Sequence, residues 1–188
     1  MRAYVSAPNT CQVRLADAVD CMPWLRLDLW ICESGGPASC RNVSVSDIDE
    51  PGCHFCDALR DRKPTEPRAF DDGRFAVLMG RYQPTGPGYA LVVPYSHIRD
   101  LHSLSEDEYG PVLQMVGRVS AAIADAFDVT GTTVIQNNGH PGQSVEHLHF
   151  HVVPRWEGDG YPRRSDAPVP DAVLENQAAQ LAAALATA

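Results

Sequence analysis

Imidazole and apolar side chains alternate in the segment HLHFHVVP, residues 147–154. In an extended strand, successive side chains point to opposite faces, so residues two apart share a face. We therefore predict a strand over these residues, with His147, His149 and His151 on one face and the intervening apolar side chains entering a core. A face of three imidazoles is not an ordinary core surface, so it needs a chemical explanation.

Three other apolar segments have the composition of strands. Residues 74–83 and 89–95 flank a Pro- and Gly-rich turn at 84–88 and are predicted to pair as antiparallel strands. Residues 131–138 are predicted to form a further strand.

Residues 104–127 carry the strongest helical pattern. Ser105 and Glu108 fit a capping box. Pro111 removes a backbone donor and clashes with the preceding turn, so we predict a kink or a restart near Gly110. The predicted apolar face comprises Leu113, Val116, Ile123 and Phe127.

An Ala-rich segment near the C-terminus predicts a second helix. Pro170 and Asp171 are typical of a helix start. Its apolar face is predicted to comprise Leu174, Gln177, Ala178 and Leu181.

The pattern divides the chain into three parts. Residues 1–50 lack sustained periodicity, apart from a short strand-like alternation at 24–30, and are interpreted as an extension of uncertain structure. Residues 51–157 are predicted to form the domain that carries the histidine row, and residues 158–188 a tail that ends in a helix.

Composition and charge narrow the class of protein. Apolar residues make up 44% and charged residues 21% of the 188 residues, which is typical of a globular chain. The net charge of −9 disfavours bulk nucleic-acid binding but is compatible with a small anion in a locally positive pocket. No apolar run reaches the ~18 residues of a membrane span, and the first residues lack a signal-peptide core, so we expect a cytoplasmic protein without membrane attachment.

The cysteines are confined to the first 56 residues. A cytoplasmic setting favours metal ligation or plain thiols over disulfides. Cys53 and Cys56 have the Cys-x-x-Cys spacing that lets two thiolates reach one ion, and the alternative is a pair of buried or free thiols. No role is assigned to the other four, which are Cys11, Cys21, Cys32 and Cys40.

The histidine row has two chemical interpretations. Three imidazoles could be ligands of a transition-metal enzyme. Alternatively, one imidazole could attack phosphorus while its neighbours orient it and move protons. Gly142, Gln143 and Ser144 favour the second interpretation, because they could bring backbone, amide and hydroxyl donors to phosphate oxygens.

The segment GQSVEHLHFHVVPR, residues 142–155, resembles the signature of the histidine-triad (HIT) superfamily, His-φ-His-φ-His-φ-φ after Gly-Gln-Ser/Thr. PGYALVVPYSHIRDL, residues 87–101, resembles its second landmark, and CHFC, residues 53–56, resembles the Cys-x-x-Cys of many bacterial members. The matches follow the family's order over about residues 51–157. They are most similar to zinc-containing bacterial members and to the diadenosine-tetraphosphate phosphorylase and hydrolase branch.

The resemblance implies an α+β fold with an antiparallel sheet of about five strands, packed helices and often a homodimer. It also implies an enzyme, a nucleotide hydrolase or transferase with a small-molecule nucleotide substrate. Such an enzyme would cleave at the α-phosphate of a nucleoside polyphosphate, a dinucleoside polyphosphate or a nucleoside phosphoramidate through a nucleotidyl-histidine intermediate.

The resemblance also implies the roles of particular residues. His149 would be the nucleophile, and His151 would contact phosphate oxygens and assist the leaving group. Substrate phosphates would be bound by Asn137, Gly142, Gln143 and Ser144. A structural Zn²⁺ would be closed by four ligands, Cys53, Cys56, His97 and His147.

Arg81 departs from the family pattern, in which an acidic residue contacts the ribose hydroxyls. An arginine can only donate hydrogen bonds, so Arg81 is predicted to bind an additional phosphate or a carboxylate of the substrate, or to be a solvated charge. This departure favours an alternative function, a non-catalytic nucleotide- or zinc-binding module. Turnover distinguishes the enzyme from that module, and a metal that requires His149 and His151 would indicate the transition-metal enzyme.

Overall fold

The computed structural model describes residues 49–61, 66–162 and 167–187, together with two short strands nearer the N-terminus. The chain divides into two compact units, Met1–Ile48 and Asp49–Ala188. In the first unit, β1 (Leu29–Cys32) pairs antiparallel with β2 (Cys40–Val43). Residues 29 and 30 of the strand-like pattern at 24–30 belong to β1. Residues 24–28 of that pattern lie outside the described residues.

The second unit is built on a five-stranded antiparallel sheet with the order β3-β4-β5-β7-β6. The strands are β3 (Arg68–Asp71), β4 (Phe75–Met79), β5 (Ala90–Pro94), β6 (Gly131–Gln136) and β7 (Phe150–Arg155). The predicted pairing across the turn at 84–88 is confirmed, since β4 and β5 are antiparallel neighbours.

Helices cover both faces of this sheet. The long helices α2 (Glu106–Phe127) and α3 (Asp171–Leu185) contribute to one hydrophobic cluster, and α1 (His54–Leu59) contributes to a second. Strand β4 is buried along its whole length because Val77 faces the first cluster while Ala76 and Leu78 face the second. The predicted α+β fold, with a five-stranded antiparallel sheet and packed helices, is confirmed.

Ser105 is the N-cap residue of helix α2, but its side chain accepts no backbone N–H, so the predicted capping box is not formed, and the helix also differs in its course. The Ser105 hydroxyl donates to the Glu108 carboxylate at 2.8 Å, and the Glu108 N–H donates to the Ser105 carbonyl at 3.0 Å. The helix continues through Pro111, so the predicted restart near Gly110 is wrong. The carbonyl one turn before Pro111 belongs to Asp107, an exposed residue, where water can replace the missing hydrogen bond.

The predicted apolar face of α2 is correct for Val116 and Ile123, which are buried, and for the partly buried Phe127. The prediction that Leu113 is buried is wrong, because 56% of its surface is exposed. The buried face includes Val112 in its place.

Helix α3 follows the prediction. Pro170 occupies the N-cap position without a side-chain hydrogen bond, and all four residues of the predicted face are buried. Gln177 also holds the loop between β4 and β5, since its Oε1 accepts from the Gly88 N–H at 3.1 Å and from the Gln83 side chain at 2.5 Å. The C-terminal helix therefore fixes the chain that leads into β5.

The histidine segment keeps its predicted alternation, but its strand begins at Phe150 rather than at His147. Regular pairing begins at Phe150, whereas the Leu148 N–H donates to the carbonyl of Ile98, in the loop after β5. Leu148, Phe150 and Val152 all belong to the cluster beneath α2 and α3. The imidazoles therefore face the opposite side, towards α1. Within the described residues, every helix is too short or too polar to cross a lipid bilayer.

Candidate active site and metal centre

Four side chains from separate parts of the fold converge beside α1. Cys53 and Cys56 lie at the start of this helix, His97 follows β5, and His147 precedes β7. Their ligand atoms all lie within 4.8 Å of one another, and they are the group found among the described residues that could hold a metal ion. The structure thus brings together the four residues that the sequence predicts as metal ligands.

The geometry of this cluster fits a metal. The Nε2–H of His147 donates to the Pro94 carbonyl at 2.8 Å, so Nδ1 carries the lone pair. That Nδ1 lies 3.5 Å from the sulfur atoms of both Cys53 and Cys56, and the Nδ1 of His97 lies 3.3 Å from the Cys56 sulfur. Two thiols and two imidazoles at this spacing form a donor set typical of zinc.

Burial keeps His147 and Cys56 neutral when no cation is bound. It lowers the pKa of His147 to about 4 and raises the pKa of Cys56 to about 11, the latter with a contribution from Cys53. A cation at this position stabilises the thiolate and offsets the cost of burying it. The cluster therefore has a chemical reason to bind a metal.

His149 is oriented by the backbone just before it. Its Nδ1–H donates to the His147 carbonyl at 2.7 Å, which leaves the Nε2 lone pair free of that bond. The Phe55 ring of α1 lies 5.0 Å from the His149 ring, and burial lowers the pKa of His149. A neutral imidazole with one fixed tautomer is a competent nucleophile.

His151 is paired with Tyr89, which lies just before β5. The Tyr89 hydroxyl is 2.6 Å from His151 Nδ1, and the two rings stack with centroids 5.9 Å apart. Burial raises the pKa of Tyr89 to about 12, and burial together with His149 lowers the pKa of His151 to about 4. Both groups are therefore neutral, and a Tyr89 O–H that donates to Nδ1 puts the remaining proton of His151 on Nε2.

A cleft of about 300 Å³ opens beside His151. His151 is a wall of this cleft, and its ring centroid is 4.9 Å from that of His149. The other lining residues are Pro84, Tyr89, Ile135, Asn137, Val153, Tyr161 and Pro162. The cleft thus gives a small ligand access to His151, whose ring lies beside that of the candidate nucleophile, His149.

The four predicted phosphate-binding residues lie in different surroundings. Asn137 lines the cleft, and a Cβ atom at Gly142 would lie 3.3 Å from the Asn137 side-chain oxygen, so glycine permits this close approach. Gln143 is buried, and its amide donates to the Arg99 carbonyl at 2.6 Å and accepts from the Gly139 N–H at 2.8 Å. Ser144 is exposed and lines a second cavity with Cys53 and His97.

The structure places Arg81 apart from the histidines. Its Nη1 donates to the Asp171 carboxylate at 2.6 Å, and its Nε lies 3.6 Å from the Glu66 carboxylate. These ion pairs raise the pKa of Arg81 further and attach the loop after β4 to the start of α3. Arg81 is not among the residues that line the cleft. Its predicted contact with substrate stays a prediction.

The two tyrosines that line the cleft were not identified as site residues from the sequence. Tyr89 stands in the quoted motif PGYALVVPYSH, but its partner is His151, on a strand 62 residues away. Tyr161 lies in a Gly- and Pro-rich segment that carries no pattern. A signal for Tyr89 exists only once the register is known: Leu91 pairs with His151, so Tyr89 is the diagonal neighbour on the same face.

Comparison with known proteins agrees with this geometry. The HIT domain family matches residues 60–158. The adenosine 5'-monophosphoramidase of Schizosaccharomyces pombe is 38% identical over 104 residues, which cover 55% of this chain and 74% of that protein. The AP-4-A phosphorylase of Mycobacterium tuberculosis is 33% identical over 89 residues, 46% of each protein.

A solved structure extends the agreement to the fold. A Zn-bound histidine triad family protein from Mycobacterium smegmatis superimposes with a TM-score of 0.62 and 29% identity, covering 72% of this chain and 94% of that one. The sequence motifs, the sheet and the matched residues all lead to one assignment: this chain belongs to the HIT domain family.

Proposed function

We propose that the chain is a nucleotide hydrolase or transferase that cleaves at the α-phosphate of a nucleoside polyphosphate, a dinucleoside polyphosphate or a nucleoside phosphoramidate. The observation that carries the proposal is the state of His149: its Nδ1–H is fixed by the His147 carbonyl, and burial keeps its ring neutral. The family and its named relatives, a monophosphoramidase and an AP-4-A phosphorylase, support the same class of reaction.

The first step forms a nucleotidyl-enzyme. His149 Nε2 attacks the α-phosphorus, a P–N bond forms, and the bond from phosphorus to the leaving group breaks. The leaving atom takes the proton from Nε2 of His151 while the Tyr89 hydroxyl passes its proton to Nδ1, so the ring stays neutral and Tyr89 becomes the phenolate. Water or phosphate then attacks the same phosphorus and gives a proton to Nε2 of His151, Nδ1 returns its proton to Tyr89, and His149 is released as the P–N bond breaks.

Tyr89 positions His151 for this exchange. A neutral Tyr89 that donates to Nδ1 keeps the exchangeable proton of His151 on Nε2, where a ligand in the cleft can receive it. Tyr89 acts through the imidazole and is therefore a positioning residue.

Asn137 is the residue best placed for a substrate phosphate, because its amide lies in the cleft with His151. Gln143 has both ends of its amide engaged by the backbone, which supports a role in holding the loop that carries Gly142 and Ser144. The backbone N–H groups of this loop and the Ser144 hydroxyl remain proposed phosphate donors.

Zinc is the metal that the cluster fits best. Cys53, Cys56, His97 and His147 would hold it, with no ligand position left over, and the ion would supply a structural cross-link. The cross-link would join α1, the loop after β5 and the residue two positions before His149. The chemistry at phosphorus remains with the imidazoles.

A turnover assay tests the proposal. Purified protein is incubated with a panel of adenosine and guanosine polyphosphates, dinucleoside polyphosphates and phosphoramidates, and nucleoside monophosphate or nucleoside diphosphate release is followed by chromatography. We expect product from the wild type and from His140→Ala, an exposed loop variant, and none from His149→Ala. Tight binding of a nucleotide without any turnover would instead support the non-catalytic binding module.

A further inference from the structure

We infer that Gln177, on the C-terminal helix α3, is a positioning residue for the hydrogen-bonded pair Tyr89 and His151, so that this helix contributes to the reaction site. The inference rests on the proposed function, because it concerns the proton that His151 gives to the leaving atom. Helix α3 begins at Asp171, beyond the end of the HIT match at residue 158.

Gln177 is a polar residue on a helix face whose other buried members are apolar. Leu174, Ala178 and Leu181 are buried on the same face, and Gln177 itself is 6% exposed. A buried amide costs free energy unless it is hydrogen-bonded, and an apolar side chain of similar size would avoid that cost. An amide at this position therefore needs partners in the structure around it.

The partners of Gln177 lie in the loop between β4 and β5. Its Oε1 accepts from the Gly88 N–H at 3.1 Å and from the Gln83 side chain at 2.5 Å. Gly88 has a φ of +92°, and its approach to the Phe127 ring of α2 leaves no room for a Cβ atom. The side-chain oxygen of Gln177 thus fixes the backbone donor of the residue directly before Tyr89.

The sheet holds the other parts of Tyr89. Its carbonyl accepts from the Gly80 N–H at 2.7 Å, and its ring lies so close to Gly80 that a Cβ atom would not fit there. The ring also stacks on that of His151, with an interplanar angle of 11°. A displacement of Gly88 would rotate Tyr89 about these contacts and lengthen its 2.6 Å hydrogen bond to His151 Nδ1.

This hydrogen bond determines which nitrogen of His151 carries the proton. While the Tyr89 hydroxyl donates to Nδ1, the ring proton stays on Nε2, where the leaving atom can receive it. Without the bond both tautomers are populated, and the form with its proton on Nδ1 has none to give from Nε2. Gln177 therefore acts on the proposed reaction through Gly88 and Tyr89.

The tautomer of His151 tests the positioning role without any need for turnover. Gln177→Met removes the acceptor oxygen but keeps the length of the side chain and its helix propensity. The two ring-nitrogen chemical shifts lie far apart in a single tautomer and converge in a mixture. In metal-loaded, ¹⁵N-labelled protein, we expect a single Nε2–H tautomer in the wild type and a mixture in Gln177→Met.

Matched variants control this measurement. Gln177→Glu keeps an acceptor oxygen in either protonation state and should restore the single tautomer. Gln180→Met makes the same substitution at an exposed position of α3, and Tyr82→Ala removes an exposed tyrosine from the loop that Gln177 holds. Both should give the wild-type tautomer.

A double-mutant cycle tests the route through Tyr89 in the reaction itself. Gln177→Met should lower kcat about fivefold with KM unchanged, the effect of one net hydrogen bond. The same substitution in a Tyr89→Phe background should have no further effect, because the hydroxyl that Gln177 positions is already gone. A merely structural role would lower kcat by the same factor in both backgrounds, and that result would overturn the inference.

The two tests distinguish failure of the positioning role from failure of the proposed function. A mixed tautomer in Gln177→Met supports the positioning role even if the wild type turns over no nucleotide, which would defeat the proposed function alone. A wild-type tautomer in Gln177→Met, or a mixture already in the wild type, would contradict it even if turnover is found. Circular dichroism checks folding, and Gln177→Asn, whose amide is one methylene shorter, replaces Gln177→Met if that variant is misfolded.

Discussion

His147 and His151 lie four residues apart on the same face of one segment, yet their surroundings give them different chemistry. Burial lowers the pKa of both to about 4, so both are neutral. His147 has no exposed surface and points Nδ1 at two sulfur atoms, 3.5 Å away. His151 points Nδ1 at a tyrosine hydroxyl 2.6 Å away and forms a wall of the cleft.

The comparison teaches that the hydrogen-bond partner of one imidazole nitrogen determines whether the other nitrogen presents a lone pair or a proton. The Pro94 carbonyl accepts a hydrogen bond from the Nε2–H of His147, which leaves the Nδ1 lone pair for a metal. Tyr89 occupies Nδ1 of His151 and leaves Nε2 for a ligand. His149, between them, takes its orientation from the His147 carbonyl, so in the proposed function it would link the metal ligands to the reacting groups.

Removal of His149 should give the largest difference between the effect on turnover and the effect on metal content. We expect His149→Ala to lower turnover by about 10³-fold or more, because the covalent route is lost, while metal content stays that of the wild type. Steady-state kinetics and inductively coupled plasma mass spectrometry measure the two quantities on the same sample. A metal that is lost with His149 would contradict the separation and support a transition-metal site formed by the histidine row.

Removal of a thiol should give the converse result. Cys56 is fully buried and its sulfur approaches both His97 and His147, so Cys56→Ser should lose the metal and lower the free energy of unfolding by about 2–4 kcal/mol. Chemical denaturation and metal analysis check this. His54→Ala, an exposed substitution on the same helix, is the matched control. Full metal content and wild-type unfolding in Cys56→Ser would remove Cys56 from the ligand set.

Loss of the Tyr89 hydroxyl should affect the reacting region alone. Tyr89→Phe keeps the ring against His151 but removes the 2.6 Å hydrogen bond, and we expect kcat to fall about tenfold with metal content unchanged. Tyr95→Phe removes a hydroxyl that donates to Asp71 at 2.6 Å outside the cleft, and kcat should be unaffected. Similar kcat values for Tyr89→Phe and the wild type would show that His151 does not depend on this bond for its tautomer.

The pH dependence of stability should show a smaller effect at His151. Its pKa is about 4 in the folded chain and about 6.5 in an unfolded one, so the unfolded state binds more protons between these values. Its contribution to stability is therefore present above pH 6.5 and is lost as the pH falls towards 4. His151→Gln should reduce the loss of unfolding free energy between pH 7 and pH 5 by about 2 kcal/mol.

Denaturant titrations of the wild type and His151→Gln at these two pH values measure that difference. His140→Gln, a substitution in an exposed loop, controls for the removal of a histidine. Identical pH slopes in all three proteins would show that His151 titrates in the folded chain as it does in the unfolded one.

Local patterns predicted the features that depend on neighbours in sequence. The alternation of histidines with apolar residues predicted the two faces of the segment, and the Ala-rich pattern predicted α3 and its buried side. The metal ligands needed family resemblance as well, because the Cys-x-x-Cys spacing identifies only half of a site.

Features set by long-range geometry could not be predicted in this way. Tyr89 meets His151 only because Leu91 is in register with His151 across β5 and β7. Arg81 pairs with Asp171, 90 residues later, and the Gln143 amide is taken by the Arg99 carbonyl, 44 residues earlier. Sequence spacing shows that such side chains are polar, but only the folded chain shows which partner each one has.

Mapping of the covalent intermediate tests the central claim most directly. Metal-loaded protein is mixed with substrate, quenched without acid, and analysed as intact protein and as peptides by mass spectrometry. We predict a nucleoside monophosphate adduct at His149 in the wild type and in Tyr82→Ala, and no adduct in His149→Ala. Turnover without any adduct, or an adduct at another residue such as His151, would contradict the account.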